Sequence, residues 1–140
     1  MAIWYNEFGV DDLNRRGKNT LSELLGIQFT EIGEDYLTAT MPVDERTRQP
    51  IGILHGGANV VLAETVASTA ANAVIDIKHF YCVGLEINAN HLRSVKEGLV
   101  TAVASPVHLG RTTQVWQIDI YNEQGKKTCV SRMTAAVIAR

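Results

Sequence analysis

The stretch QPIGILHGGANVVLAETVAST, residues 49–69, decides the fold of this chain. It opens a helix that we predict from about Gly57 to Asp76, with Ala, Val and Leu on nearly every side. A helix that is apolar all round is normally buried. The sequence therefore predicts one central helix around which the remaining elements pack.

Strand-like segments flank this helix. IQFTEI and YLTATMPV precede it and are separated by GED, which is typical of a hairpin. Four more segments follow it: CVGLEINANHLRSV, GLVTAVASPVHL, TQVWQIDIY and KTCVSRMTAAVIA. A single antiparallel sheet wrapped around the helix covers it most economically. We therefore predict an α+β chain with the hotdog fold, forming a single domain over residues 1–140.

Alternation within the strands predicts which side chains share a face. In the first segment after the helix these are Val83, Leu85, Ile87 and Ala89, and in the third they are Trp116, Ile118 and Ile120. Two short helices precede the hairpin, one over Val10 to Arg16 and one within NTLSELLG, with Asn19 or Thr20 as its N-cap. The segment NEQGK is predicted to be the last turn.

Composition and charge exclude several classes of function. The net charge is -2 and no block of like charges occurs, so we expect no nucleic-acid partner. The N-terminus does not resemble a secretory signal, and the long apolar stretch is interrupted by Glu64, so we expect a cytoplasmic protein without a membrane partner. The two cysteines, Cys82 and Cys129, have neither metal-ligand nor redox spacing.

The approach to the long helix is His55-Gly56-Gly57, without a Ser, Thr, Asp or Asn cap. Bare N–H groups at a helix start attract negative charge, and glycine allows a ligand to approach the backbone. A thioester carbonyl that becomes an oxyanion is one such charge. A tight loop-to-helix turn would use the same residues, so the motif alone leaves both interpretations open.

Glu64 is the unusual residue of the helix. Burying an ionised carboxylate without a partner is costly, and no Lys or Arg lies three or four positions away on the helix. Ser68 follows at i+4 on the same face and could orient Glu64 or a water molecule. Either the two residues form an ordinary surface pair, or the position of Glu64 is functional.

The segments QPIGILHGGANVVLAE, VGLEINANHLRSVKEG and HLGRTTQVWQIDI resemble the hotdog-fold acyl-CoA thioesterases. The resemblance is to the branch that contains the 1,4-dihydroxy-2-naphthoyl-CoA hydrolases of menaquinone synthesis and the proofreading aroyl-thioesterases of siderophore synthesis. It covers nearly the whole chain. It implies a hydrolase that needs no metal or other cofactor, since CoA is part of its substrate.

The resemblance also implies roles for individual residues. Glu64 is the nucleophile or the general base, and both are chemically admissible. Gln49 donates to the thioester or positions the water, His55 aligns the thioester carbonyl, and the Gly56 N–H binds the oxyanion. Ser68 assists Glu64.

Two places are expected to border the CoA nucleotide, because they do so in related thioesterases. The first is the end of the strand after the long helix, with His91, Arg93 and Ser94, where His91 and Arg93 are predicted to share a strand face. The second is the turn with Gly110 and Arg111. Arginine suits the phosphates of CoA.

Helix geometry predicts a dimer. Glu64 lies eight residues beyond Gly56, about 12 Å along the axis, which a Glu side chain does not span. Reacting atoms must approach within roughly 3.5 Å. We therefore expect a two-fold dimer in which one chain supplies Gln49, His55 and Gly56 and the other supplies Glu64 and Ser68. Pairing of dimers into a homotetramer is also expected.

The acyl pocket is expected at the dimer seam, formed by Val60, Val61, Ala67 and the N-terminal helices. Asn59 and Ala67 depart from the family pattern, in which Ser and Gly are usual. The expected reaction is hydrolysis of a hydroxylated aroyl-CoA, with 1,4-dihydroxy-2-naphthoyl-CoA as a candidate substrate. The alternatives are a broad-specificity or carrier-protein thioesterase, a hotdog dehydratase and a non-catalytic acyl-CoA-binding module.

Overall fold

A computed structural model describes residues 1–140. In chain order the elements are α1 (Val10–Arg16), α2 (Leu21–Leu24), β1 (Gln28–Ile32), β2 (Leu37–Pro42), α3 (Gly56–Ala73), β3 (Phe80–His91), β4 (Leu99–Leu109), β5 (Thr113–Tyr121) and β6 (Lys127–Ala139). None of the helices combines the length and the apolar character needed to cross a lipid bilayer.

The strands form one antiparallel sheet in the order β1-β2-β4-β5-β6-β3. Helix α3 packs against five of the six strands, β2 to β6. The predicted hotdog fold is therefore confirmed. Strands β1 and β3 are the two edges of the sheet, and β3 pairs only with β6.

The core lies between α3 and the inner face of the sheet. Trp116, Ile118 and Ile120 are fully buried there, as their alternation predicted. The facing side of α3 is rich in alanine, which lets the helix approach the sheet closely. Gln114 joins the layers with satisfied hydrogen bonds, since its amide donates to the Ala71 carbonyl and accepts from the indole of Trp116.

Helix α3 is shorter than predicted and is buried on one side only. It ends at Ala73 rather than near Asp76. Its sheet side is buried, whereas the opposite side is half-buried: Val60, Val61, Glu64, Thr65, Ser68, Thr69 and Asn72. The expectation of a helix buried all round was therefore wrong for the single chain, and this mostly polar side, which also carries Val60 and Val61, remains partly accessible.

The predicted face of β3 was wrong for its first half. A β-bulge lies between Gly84 and Glu86 and shifts the alternation by one residue. Ile87 and Ala89 pack against the core, but before the bulge Cys82 does so instead of Val83. Val83 and Leu85 are exposed, which gives this edge strand an apolar outer surface.

The predicted short helices are confirmed. Helix α1 spans Val10–Arg16, and Thr20 caps α2 by accepting from the Ser22 N–H. Asn19 is not the cap; it has a left-handed backbone with φ of 62°. The turn between β5 and β6 is at NEQGK, where Gly125 has φ of 78°.

Candidate functional site

Helix α3 has a cap that the sequence analysis did not anticipate. His55 is its N-cap, and its Nδ1 accepts from the Gly57 N–H at 2.8 Å. The expectation of an entirely uncapped helix start was wrong, because an unprotonated imidazole nitrogen can replace a Ser or Asp oxygen. The Gly56 N–H has no acceptor within the chain and remains available to a ligand.

The cap fixes the proton on the imidazole of His55. Because Nδ1 accepts a hydrogen bond, the neutral ring carries its proton on Nε2. The His55 side chain is exposed, and its backbone N–H is held by the Thr47 carbonyl. His55 thus presents an Nε2–H donor one residue before the free Gly56 N–H.

Gln49 is oriented by its own loop. Its side-chain oxygen accepts from the Ile51 N–H at 2.5 Å, and its backbone bonds to Ile53 and Gly52. An N–H donor can meet only the oxygen of the amide, so the NH₂ group of Gln49 is the end left to donate elsewhere.

A cavity of about 330 Å³ lies at the start of α3. It gathers five of the ten residues that the sequence analysis placed at two separate sites, and His55, Glu64, Ser68, Gly110 and Arg111 do not line it. Its polar lining is Gln49, Gly56, Asn59, His91, Arg93 and Ser94, and its apolar lining is Ile53, Leu54, Leu92 and Val95. The candidate oxyanion donor Gly56 and the candidate CoA-binding segment therefore share one cavity within a single chain.

The predicted common strand face of His91 and Arg93 was wrong. Strand β3 ends at His91, and Arg93 lies in the following loop. The loop is anchored to β6, since the Leu92 and Arg93 N–H groups both donate to the Thr128 carbonyl. The side chains still line the same cavity because the loop folds over the start of α3.

His91 and Asn59 form a contact that the sequence did not indicate. The Asn59 amide nitrogen lies 3.3 Å from His91 Nδ1. Asn59 is only 4% exposed, and its side-chain oxygen has no hydrogen-bond partner. His91 Nε2 lies against Gly56, where an added Cβ would be only 2.8 Å from it.

Glu64 and Ser68 lie on the half-buried side of α3, outside this cavity. The Glu64 carboxylate lies beside Gly84 on β3, and within the chain it accepts no hydrogen bond and joins no ion pair. Ser68 does not contact Glu64, since its hydroxyl donates to Met133 Sδ at 3.6 Å. Glu64 is thus a half-buried carboxylate without a partner, not a member of the surface Glu–Ser pair that the sequence left open.

Gly110 and Arg111 are far from the cavity within one chain. Their turn leads into β5, where Thr113 pairs with Ala136 of β6, whereas His91 pairs with Cys129. Ala136 and Cys129 are seven residues apart on β6, about 23 Å at 3.3 Å per residue. One chain therefore does not bring Arg111 to the same nucleotide as Arg93.

A second cavity, of about 290 Å³, opens next to Ser68. It is lined by Phe8, Leu13 and Phe29 and by the polar residues Asn6, Arg16, Ser68, Thr69 and Asn72, with Ala73 and Ile77 completing it. The N-terminal segment contributes Asn6, Phe8, Leu13 and Arg16 to this cavity, whereas Val60 and Val61 do not line it. The sequence analysis missed Phe8, Arg16 and Phe29, because only the tertiary fold brings them to α3. Ala67 is fully buried against the sheet, so the expectation that it lines an acyl pocket was wrong.

The two cysteines are poor nucleophiles. Burial raises the pKa of the Cys82 thiol to about 11, and burial followed by the nearby Asp119 carboxylate raises that of Cys129 to about 11 as well. Little thiolate therefore exists near neutral pH. No three His, Cys, Asp or Glu side chains converge on a point where they could hold a metal ion.

The chain is similar to known hydrolases over its whole length. It is 49% identical to the 1,4-dihydroxy-2-naphthoyl-CoA hydrolase of Escherichia coli, covering 97% of this chain and 99% of that protein. It is 48% identical to the proofreading thioesterase EntH of Cronobacter turicensis, covering 97% of this chain and 98% of that protein.

Solved structures agree with the sequence comparison. The crystal structure of a mutant thioesterase from Pseudomonas aeruginosa superimposes with a TM-score of 0.98 at 49% identity, over 99% of this chain and 100% of that one. A thioesterase from Haemophilus influenzae gives a TM-score of 0.96 at 50% identity, over 98% and 95% of the two chains. Residues 51–129 match the thioesterase superfamily. The chain therefore belongs to the thioesterase superfamily, and it is a thioester hydrolase with the hotdog fold.

Proposed function

We propose that this enzyme hydrolyses the CoA thioester of a hydroxylated aromatic acid in a site shared by two chains. One observation carries the proposal. The free Gly56 N–H and the Gln49 amide face one cavity, whereas the only unpartnered carboxylate on α3, that of Glu64, lies on another side of the helix. The hydrogen-bond donors and the carboxylate that hydrolysis needs are therefore both present, but they lie apart in a single chain.

An antiparallel dimer would bring the donors and the carboxylate together. Within the chain, Glu64 lies beside Gly84 and Gly56 lies beside His91, and Gly84 and His91 both belong to β3. If β3 pairs antiparallel with the partner's β3 about a centre between these residues, each Glu64 comes to lie opposite the partner's Gly56. The exposed apolar edge of β3 and the half-buried side of α3 supply surface for such an interface.

The residues then have distinct roles in hydrolysis. The Gly56 N–H, the Gln49 amide and the Nε2–H of His55 orient the carbonyl and stabilise the negative charge on its oxygen. The partner's Glu64 either removes a proton from the attacking water or attacks the carbonyl carbon itself. On the first route water adds, the C–S bond breaks, and the CoA sulfur leaves with a proton while the acyl group becomes a carboxylic acid.

The CoA moiety would run along the loop after β3. Arg93 and Ser94 line the same cavity as Gly56 and provide a cation and a hydroxyl for phosphate. Antiparallel pairing of β3 also carries the partner's Gly110 and Arg111 from the far end of the sheet towards this cavity. The second nucleotide contact therefore comes from the partner, as the 23 Å separation within one chain requires.

The acyl group would occupy the cavity beside Ser68 in the partner chain, which also supplies Glu64. Phe8 and Phe29 offer aromatic surface to a planar ring, and Arg16 and Asn6 offer donors to ring hydroxyls. The 1,4-dihydroxy-2-naphthoyl group suits this lining. Its CoA thioester is an intermediate of menaquinone synthesis and is the substrate named for the relative from Escherichia coli. Because CoA esters of this kind are made inside cells, we place the reaction in the cytoplasm. We also propose that residues 1–140 act as one domain and that the dimers pair into a tetramer.

A carrier-protein thioester is the second candidate substrate. It is favoured by the similarity to EntH, a proofreading thioesterase. Both substrates present the same phosphopantetheine arm, so the same donors would act on either. The adenine nucleotide distinguishes them, because only CoA carries it and only CoA would use Arg93 and the partner's Arg111 fully.

The test is thiol release from a panel of dihydroxynaphthoyl, hydroxybenzoyl, phenylacetyl and straight-chain acyl-CoA esters. Glu64→Ala and Glu64→Gln should each lower kcat by at least about 10²-fold on the preferred ester. Glu31→Gln is the matched control, because the Glu31 carboxylate lines neither cavity and only accepts from the Tyr36 hydroxyl, so kcat should be unchanged. Turnover that survives the loss of Glu64 would refute its role, and preference for a straight-chain ester would refute the aromatic assignment.

A further inference from the structure

Asn59 is a buried polar residue to which the proposed reaction assigns no role. It lies in the first turn of α3, in the wall of the cavity that contains Gly56. It is 4% exposed, and its amide nitrogen approaches His91 Nδ1 at 3.3 Å. His91 comes from the end of β3, so the contact joins a helix start to a strand end 32 residues away.

This contact determines which nitrogen of His91 carries the proton. In this structure the NH₂ end of the Asn59 amide faces His91 Nδ1. An NH₂ group can only donate, so in this orientation Nδ1 accepts and carries no proton. The neutral ring then has its proton on Nε2, which makes Nε2 a hydrogen-bond donor. The Asn59 oxygen is left without a partner, so the amide orientation that serves His91 leaves a buried acceptor unsatisfied.

The donor Nε2–H lies close to the free N–H of Gly56. A Cβ built on Gly56 would be 2.8 Å from His91 Nε2. Since a Cβ lies about 2.5 Å from the nitrogen of its own residue, Nε2 is within about 5.3 Å of the Gly56 nitrogen. Two donors that each lie about 2.9 Å from one oxygen are at most about 5.8 Å apart. The separation of the two nitrogens is therefore compatible with donation to one oxygen atom.

We propose that His91 Nε2–H is a further donor to the thioester oxyanion, next to the Gly56 N–H, and that Asn59 is the positioning residue that holds His91 in the donating tautomer. The inference rests on the proposed function, since it names a further residue of the same site. It assigns His91 to the thioester carbonyl, whereas the family resemblance implied a contact with the CoA nucleotide.

The experiment uses the full-length protein and four variants. His91→Phe keeps an aromatic ring but removes the donor, whereas His91→Gln offers an amide N–H in place of Nε2–H. Asn59→Leu keeps the side-chain volume but removes the donor to Nδ1. The double variant Asn59→Leu with His91→Phe tests whether the two residues act through one another.

Kinetics with a CoA ester and the corresponding pantetheine ester give the first readout. His91→Phe and Asn59→Leu should each lower kcat by about 10- to 100-fold with little change in KM, because the donor acts on charge that develops in the transition state. The loss should be the same on both esters. His91→Gln should recover part of the activity, and the double variant should be no slower than His91→Phe.

A long-range ¹H–¹⁵N correlation spectrum gives the second readout, which a purely structural role would not change. The chain has four histidines, and the signals of His91 are those that the His91→Phe variant lacks. His91 should show its proton on Nε2 in the wild type and a mixture of tautomers in Asn59→Leu. The melting temperature of Asn59→Leu should not fall, because the substitution also removes the unpartnered oxygen.

Several results would overturn the inference. They are a wild-type His91 protonated on Nδ1, an unchanged kcat in His91→Phe, a defect confined to the CoA ester, or a double variant in which the two losses multiply. A defect confined to the CoA ester would return His91 to the nucleotide. Failure of the proposed function is distinct, since the wild type would then show no Glu64-dependent turnover of any ester.

Discussion

Substitution of Gly56 by alanine tests the geometry of the site with a single methyl group. The added Cβ would lie 2.8 Å from Nε2, 3.2 Å from Cε1 and 3.3 Å from Cδ2 of His91. Ordinary van der Waals contact begins near 3.4 Å, so the His91 ring has to retreat by about 0.6 Å. Because its contact with Asn59 is already 3.3 Å long, the displacement breaks that contact while the Gly56 N–H is retained.

The expected cost falls on activity rather than on folding. Losing an aligned oxyanion donor lowers kcat by about 10²-fold, or about 2.7 kcal/mol of transition-state stabilisation. Alanine is favoured over glycine in a helix by up to about 1 kcal/mol, which offsets part of the strain from moving one ring. We therefore expect the melting temperature to change by only about 5 °C in either direction.

Thiol release at saturating substrate and thermal unfolding are the two measurements. Gly9→Ala is the matched control, because Gly9 also lies at a helix start but its added Cβ would meet only Asp12 Oδ2, at 3.7 Å. It should have wild-type kcat. A Gly56→Ala enzyme with wild-type kcat would refute the close approach, and a fall in melting temperature of more than about 10 °C would show that the methyl group damages the fold instead.

Three further predictions concern other parts of the site. Gln49→Leu should lower kcat/KM by about 10-fold or more without changing the melting temperature, since the NH₂ group of Gln49 bonds to nothing in the chain. A lower melting temperature with unchanged kcat/KM would show that Gln49 has a structural role instead. Arg93→Ala should raise KM for CoA esters more than for pantetheine esters. The control Arg15→Ala removes only an exposed ion pair with Asp12 and should change neither KM. Equal effects of Arg93→Ala on both esters would show that Arg93 does not contact the nucleotide. Labelling of Cys82 by a thiol reagent should be slow at pH 8 and accelerate about tenfold per pH unit towards its pKa of about 11, because only the thiolate reacts; rapid labelling at pH 8 would contradict the raised pKa.

The fold was predictable because its signals are local and repeated. The apolar run after Gly57 and the alternation around Trp116 each recur over several turns or residues, so a single irregularity does not hide them. The β-bulge at Gly84 was not predictable, because one inserted residue reverses every side chain before it without altering the composition of the strand. Leu85 is therefore exposed, although the alternation had placed it on one face with Ile87 and Ala89.

The candidate site was predictable only in part, for a different reason. Gln49 and Gly56 lie close together along the chain, so the cavity that contains both could be anticipated from the loop and the helix start. The contact between Asn59 and His91 depends on where β3 ends relative to α3, which is a tertiary property without a sequence period. A histidine cap at His55 was missed because capping preferences are dominated by Ser, Thr, Asp and Asn.

The division of the site between two chains predicts that two impaired variants restore each other's activity. In a mixed dimer of Glu64→Ala and Gln49→Leu chains, one site combines the intact Gln49 of the first chain with the intact Glu64 of the second, and the other site has neither residue. Random mixing makes about half of the dimers mixed, each with one of two sites intact, so activity should return to about a quarter of the wild-type value.

The measurement is thiol release after the two variants are unfolded and refolded together, with each variant refolded alone as the control. A site contained within one chain would always lack one of the two residues, and mixing would then restore nothing. Recovery to about a quarter is specific to a site that takes Gln49 and Glu64 from different chains. Because Glu64 and Gly56 lie beside different parts of β3 in each chain, antiparallel pairing of this strand is the arrangement that such recovery would support.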